Sequence, residues 1–340
     1  MKQWIFACFL FVLAAVPITT LPSQAQADTC RGTNLLTQLQ KNDPAAFAAL
    51  QKEGASTPNG RGIFWRIEKD GVPTSYLLGT MHVTDSRVLD MPEPARTAFK
   101  TATTVVVETD EIIDQQKTMA ALLSRPDLTG FVDGRSLLDF MTPEQKKDLA
   151  AALKQRGIEL ALVSKMRPWM LSSFMAMSAC EMQRQQSGVS FLDKRLAESA
   201  KADGKTLIGL ETLIEQMTAM DSLPMDFHIR SLVETARMGT LMADMLETMT
   251  DLYLSGDVGM VMPMMKLVSE LPAEGDEGYA AFEERLLRQR NHIMADRVDA
   301  TLAKGNVFMA VGALHLPGPE GVVELLRQRG YRLTAVSSKP

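Results

Sequence analysis

Two Gly-x-x-His tetrapeptides lie near opposite ends of this chain, and each follows an apolar run with the composition of a buried β-strand. The first, Gly79-Thr80-Met81-His82, comes after Tyr76-Leu77-Leu78. The second, Gly312-Ala313-Leu314-His315, comes after Val307-Phe308-Met309-Ala310-Val311. The chain has four histidines, so two of the four share one local grammar. A strand that ends in Gly and then presents His carries an imidazole to the carboxyl edge of a sheet. Open α/β sheets bind their ligands at that edge. Glycine at the strand end permits an unusual backbone angle or a close approach to a neighbour.

Four further segments read as strands. Phe64-Trp65-Arg66-Ile67-Glu68 alternates apolar and polar residues and meets Ser75 to Leu78 across Asp70-Gly71, a hairpin signal. Thr103 to Val107 is a β-branched run, Lys205 to Leu210 follows the same logic, and Tyr331 to Val336 closes the chain. Helical patterns cover Glu93 to Thr101, Met170 to Gln186, Leu192 to Asp203 and Phe282 to Leu302. Another spans Pro143 to Arg156, with Thr142 as N-cap and Pro143 at the first helical position. Strands early and late with helices between predict an α/β fold. Its central sheet is mostly parallel or mixed, flanked by helices, with a large helical insertion over about 213–305 in one domain of residues 28–340.

Residues 1–27 read as a cleaved leader. Lys2 supplies charge, Trp4 to Val16 an apolar stretch too short to span a bilayer, and Ala25-Gln26-Ala27 a small-residue cleavage site. The expected location is secreted or periplasmic, with no stable membrane span after cleavage. The remaining chain carries a net charge of −6 by residue count. Bulk charge of that sign argues against nucleic acid or an anionic membrane as partner. Cys30 and Cys180 survive cleavage and either pair in an oxidising compartment or stay as buried thiols.

Side chains able to do chemistry cluster at predicted strand ends: His82, Glu108, Glu211 and His315. Two imidazoles with carboxylates suit a divalent ion such as Mn, Co or Zn. They equally suit metal-free general acid–base work. Blander readings stand beside these. A histidine after a strand is often a satisfied core group. Glu108 could lie beyond its strand in solvent. Glu211 could belong to the acidic first turn of a helix. Arg290, on a helix rich in Arg, could anchor a carbonyl or carboxylate, or lie on a solvated face. Eleven of the 23 methionines fall between Met217 and Met265. Met238, Met242, Met245 and Met249 recur at helical spacing, as a core or adaptable binding stripe.

Taken together, several segments resemble the TraB/GumN/PrgY family, which includes the Tiki proteases. They are Gly79-Thr80-Met81-His82-Val83, Val106-Val107-Glu108, Gly209-Leu210-Glu211-Thr212 with Glu215-Gln216, Arg290-Asn291, and Val311 to Leu316 with Gly318 and Gly330-Tyr331. The resemblance covers roughly residues 30–336. It implies an α/β fold akin to erythromycin-esterase-like and ChaN-like proteins. It also implies a metal-dependent peptidase in which His82, Glu108 and His315 match the metal set, and Glu211 and Arg290 match further polar positions. The expected activity is an exported hydrolase acting on a peptide or a small ester or amide. A metal-free esterase in the same cleft and a non-catalytic peptide- or haem-binding protein are the competing readings.

Overall fold

The computed structural model describes residues 31–268 and 277–337. The proposed leader and Cys30 lie outside the described residues, whereas Cys180 carries a disulfide bond. Among the described residues, no helix is long and apolar enough to cross a membrane.

All six segments read as strands are strands. They are β1 (Phe64–Lys69), β2 (Val72–Thr80), β3 (Thr104–Val107), β4 (Thr206–Gly209), β5 (Val307–Gly312) and β6 (Arg332–Ala335). They form one sheet in the order β4-β3-β5-β2-β1-β6. β2, β3, β4 and β5 run parallel, while β1 is antiparallel to both β2 and β6, so the sheet is mixed. β5, nearly last in sequence, sits between β2 and β3. Both strands that carry a Gly-x-x-His motif are therefore neighbours, with Gly79 opposite Val311 and Thr80 opposite Gly312.

Strand periodicity explains how the sheet is covered on both sides. Val307, Met309 and Val311 face one layer with Met294, Val298 and Leu302 of the Gln289–Leu302 helix and Val322, Leu325 and Leu326 of the Val322–Gln328 helix. Phe308 and Ala310 face the opposite layer, with Ala95 and Ala98 of Glu93–Thr101 and Leu196, Ala197 and Ala200 of Leu192–Ala202. A separate apolar cluster joins Leu149 and Leu153 of the Pro143–Gln155 helix to Leu171 and Met175 of Pro168–Ala176 and to Leu232 and Val233 of Met225–Met238. Helices thus fill both the β3–β4 and the β4–β5 connections.

Two helical readings need correction. The stretch Met170 to Gln186 is two helices, Pro168–Ala176 and Ala179–Gln186. The second starts because Ser178 caps it, accepting the Glu181 amide. The methionine stripe is also not one helix face. Met225–Met238 ends at Gly239, whose φ of 52° ordinary side chains avoid, and a new helix, Leu241–Ser255, carries Met242, Met245 and Met249.

Candidate functional site

Because β2 to β5 are parallel, their carboxyl ends share one edge, and the residues just beyond those ends converge. His82 lies two residues past β2, Glu108 directly follows β3, Glu211 is two past β4, and His315 closes a 3-10 turn after β5. The Glu211 amide donates to the Glu108 carbonyl at 2.7 Å, extending the β3–β4 ladder into the site.

The two motif glycines serve close approach. A Cβ at Gly79 would sit 2.6 Å from Leu316 and 3.0 Å from the Ala313 backbone. A Cβ at Gly312 would lie 3.2 Å from Glu108 Oε1, 3.4 Å from His315 Cδ2 and 3.9 Å from His82 Nε2. Three side chains from three strands therefore surround one small volume above Gly312.

Each imidazole is oriented from behind. Asn291 Nδ2 donates to the Glu320 carbonyl, which leaves its Oδ1 to accept His315 Nδ1–H at 2.6 Å. His315 Nε2 then presents its lone pair 3.8 Å from Glu108 Oε1. His82 Nδ1 stands 3.3 Å from Asp193 Oδ2, and Asp193 Oδ1 accepts Thr80 Oγ1–H at 2.6 Å. Tyr253 Oη donates to the Gly79 carbonyl at 3.0 Å, fixing the backbone that leads to His82.

Glu108 and Glu211 are buried, which overturns the solvent reading of the first and the helix-turn reading of the second. The helix's first-turn acid is Glu215, in a capping box with Thr212. Two buried carboxylates need a cation. Arg290 supplies it: Nη2 donates to Glu108 Oε2 at 2.8 Å and to Glu211 Oε2 at 2.7 Å, and Nε donates to Glu211 Oε1 at 2.9 Å. The solvated-face reading of Arg290 therefore falls. Gln216 Nε2 bonds both carboxylates, at 3.1 and 3.3 Å, and the Gly312 amide donates to Glu108 Oε1 at 2.7 Å. A π-helical turn over Glu283–Arg288 directly precedes Arg290 and Asn291, a distortion frequent at functional sites.

These environments push the titrating groups apart. Burial opposes the charge of Glu108, but His315, His82, Arg290 and the Gly312 amide outweigh it and hold the carboxyl near about 2. Burial drives His315 down to about 4, so it is neutral at ordinary pH. Its help to Glu108 therefore operates only in acid, and above that range Arg290, His82 and the amide hold the carboxylate. For His82, burial again opposes charge, but Asp193 and Glu108 win and raise it to about 9. Its side chain is 54% open to solvent, and water screens part of that pairing.

A profile of the TraB/PrgY/gumN family matches residues 63–335. The chain belongs to this family. It is 27% identical over 318 residues to metalloprotease TIKI1 of Danio rerio, covering 80% of this chain and 62% of that protein. It is 28% identical over 316 residues to metalloprotease TIKI2 of Danio rerio, at 80% and 60% coverage. It is also 24% identical over 253 residues to protein YbaP of Escherichia coli K12, covering 74% of this chain and 87% of YbaP. The chain spans about three fifths of the length of the TIKI relatives. No solved structure matches it.

The TraB/PrgY/gumN cleft can be tested for a metal on its own donors. Among the described residues no group of three or more His, Cys, Asp or Glu side chains is placed so that it could hold a metal ion. The donor types near Gly312, two imidazoles and a carboxylate, are those that divalent transition ions take. His315 Nδ1 is bonded to Asn291 Oδ1, and His82 Nδ1 faces Asp193 Oδ2 at 3.3 Å without a formed hydrogen bond; oxygens behind imidazoles in this way orient metal-ligating histidines. His82 Nε2, His315 Cδ2 and Glu108 Oε1 border the same volume at Gly312.

Sequence reasoning missed Asp193 as a site residue. Its signal was available: positions 193, 196, 197 and 200 form the buried face of the Leu192–Ala202 helix, and an Asp on such a face needs a reason. Arg87 pairs with Asp85 and Glu247 at 2.8 Å each, pinning the loop after the motif to the Leu241–Ser255 helix.

Proposed function

We propose that this TraB/PrgY/gumN member is an exported, metal-dependent, peptidase-like hydrolase working at the carboxyl edge of its sheet. The observation that carries this reading is the meeting of His82 Nε2, the His315 ring and Glu108 Oε1 at Gly312, with Asp193 and Asn291 behind the two imidazoles. The metalloprotease names of the TIKI relatives support the same class. His82, His315 and Glu108 are the residues that would hold an ion. When bound, a divalent ion supplies Lewis acidity toward water and a scissile carbonyl.

The protein's own groups have distinct tasks in this reading. His315, neutral and oriented by Asn291 through Nδ1, would offer its Nε2 lone pair to the ion. Arg290 balances Glu108 and Glu211 and keeps Glu108 ionised. Glu211 holds the guanidinium in place through bonds from both Nε and Nη2, a geometry lysine cannot reproduce. Mn, Co and Zn are each compatible with these donors, and the substrate class is peptide, with small esters or amides as alternatives.

The test is metal uptake with turnover. Purified protein loaded with Mn, Co or Zn should retain near one equivalent after desalting and cleave members of a peptide library. His82→Ala and His315→Ala should lose both properties. Failure of wild-type protein to bind any of the three ions at micromolar concentration would remove the metal from the proposal.

A second reading, a metal-free esterase or amidase, is favoured by one observation. Asn291 Oδ1 accepts His315 Nδ1–H at 2.6 Å, which leaves the neutral imidazole's Nε2 lone pair to act as a general base. Turnover that persists in chelator but vanishes in His315→Ala selects it.

A further inference from the structure

Glu181 is a buried carboxylate outside the cleft constellation. It is 2% exposed and is the one buried residue of the Ala179–Gln186 helix. A short helix that buries a charge and no apolar side chain is not there to fill a core, and the buried carboxylate needs partners. Its main partner is Thr84, two residues past His82 and itself buried. Glu181 Oε1 and Oε2 both accept the Thr84 amide at 3.0 Å, and Oε2 accepts Thr84 Oγ1–H at 2.9 Å. Arg184 closes the ring: Nε donates to Thr84 Oγ1 at 2.9 Å and Nη2 to Glu181 Oε2 at 3.0 Å, while Gln185 Nε2 donates to Glu181 Oε1 at 2.8 Å. Ser178 caps this helix and Cys180 carries a disulfide bond, so the turn that bears Glu181 is fixed independently of the loop it holds.

That loop carries one of the two cleft histidines. Residues 81–85, between the end of β2 at Thr80 and the short helix Ser86–Leu89, have no regular structure. The two imidazoles differ in what holds them. His315 closes a 3-10 turn, its side chain is 6% exposed, and it has a formed bond to Asn291. The His82 side chain is open to solvent, faces Asp193 without a formed bond, and meets Phe191 edge-on with 5.4 Å between ring centroids. Packing therefore fixes His315, whereas the place of His82 depends on where its backbone is anchored. Asp193 holds the strand side through Thr80, and Glu181 holds the far side through Thr84.

We propose that Glu181 is a positioning residue for His82, keeping the imidazole over the volume at Gly312 by clamping the Thr84 amide. Its consequence for ion uptake rests on the hydrolase reading; the placement of the ring does not.

The experiment reads the ring directly. The four histidines give four ring peaks in a carbon–proton spectrum of histidine-labelled protein at a single pH, and the one that vanishes in His82→Ala belongs to His82. The neighbouring Phe191 ring shifts that peak according to its distance, so the peak reports where the His82 ring stands. Glu181→Ala removes the clamp, and Glu181→Leu fills the same volume without an acceptor. Whichever of the two melts cooperatively should displace the His82 peak and leave those of His228 and His292 in place. Glu181→Gln keeps an acceptor for the Thr84 amide and should restore the peak to near its wild-type position. Thr142→Ala, the loss of a distant helix cap, should lower the melting temperature and move no peak. An unmoved His82 peak in the folded variants overturns the proposal, as does a common movement of all four peaks. Where the wild type binds cobalt, Glu181→Leu should weaken that binding about tenfold, and saturating cobalt should restore its peptide turnover, which a general loosening of the fold would not allow. Undiminished cobalt affinity in that variant also overturns the proposal. A wild type that takes up no ion and cleaves no peptide rejects the hydrolase reading, while the His82 peak still decides the role of Glu181.

Discussion

At the scale of single residues, the site depends on groups behind the reacting ones. Arg290 neutralises two buried carboxylates, so Arg290→Ala leaves both without their cation. Breaking a buried ion pair by removing one partner costs about 3–5 kcal/mol, and guanidinium unfolding curves of the variant should reveal a loss of that order. Asp193 acts only through His82. Asp193→Asn keeps the size and the Thr80 contact but removes the charge facing Nδ1. The expected result is a drop in metal affinity of about 10–100-fold, with an unchanged melting temperature. Equal affinity in the two proteins would strip Asp193 of its orienting role. His82, Glu108, Glu211 and His315 were legible in the sequence as candidates because each follows a strand end, whereas Arg290 was singled out on an Arg-rich helix and by the family resemblance. Asp193 was harder to see, because its partner comes from a segment more than a hundred residues earlier.

Individual elements owe their placement to local chemistry that can be tested one at a time. Gly312 ends β5 where any side chain would press on Glu108 Oε1 at 3.2 Å and His315 Cδ2 at 3.4 Å. Gly312→Ala should therefore lower turnover at least tenfold while costing little stability, since its φ of −51° suits alanine. Normal turnover would mean that the volume above Gly312 is not where the reaction occurs. The Pro143–Gln155 helix begins at the N-cap Thr142, as its sequence predicts, and Gln145 completes a capping box there. Thr142→Ala should cost about 1 kcal/mol, read as a lower denaturant midpoint, without affecting the distant cleft. The break between Pro168–Ala176 and Ala179–Gln186 was not foreseen, because Ser178 lies within an otherwise continuous helical pattern and acts as a cap only once Met177 leaves helical geometry.

Across the whole molecule, charge pairs link elements that are remote in sequence, and acid should release them. Glu215 of the Leu213–Asp221 helix pairs with Arg297 of Gln289–Leu302 at 2.7 Å. The Arg297 hydrogen bond holds the Glu215 carboxyl down at about 2, below the usual 4.5. Glu108 is likewise held near about 2 against the same reference. A group with a depressed folded pKa contributes stability above its unfolded value and loses it as pH falls toward the folded one. The stability these two carboxylates contribute should thus be complete above pH 4.5 and decline toward pH 2, while neutral His315 adds a loss as pH falls from 6.5 to about 4 and charged His82 a loss as pH rises through about 9. Glu215→Gln keeps the capping-box geometry and should flatten part of that decline. Glu215 is 42% exposed, so solvent screening makes its share the smaller one. Chemical denaturation at pH 6, 4 and 3 checks both statements, and a pH-independent midpoint would contradict them.

The sequence alone determined the six strands, the α/β class and the residues delivered to the strand ends, because periodicity, turn chemistry and strand-terminal glycine act over a few residues. Tertiary structure decided the strand order that inserts β5 between β2 and β3 and makes the two motifs neighbours. It also decided that Glu108 and Glu211 share Arg290, that Asp193 and Asn291 back the imidazoles, and that the methionines of four helices wall one cavity. The physical reason is range. Burial and charge balance are properties of groups brought together by folding, and a linear sequence records each partner without recording the meeting.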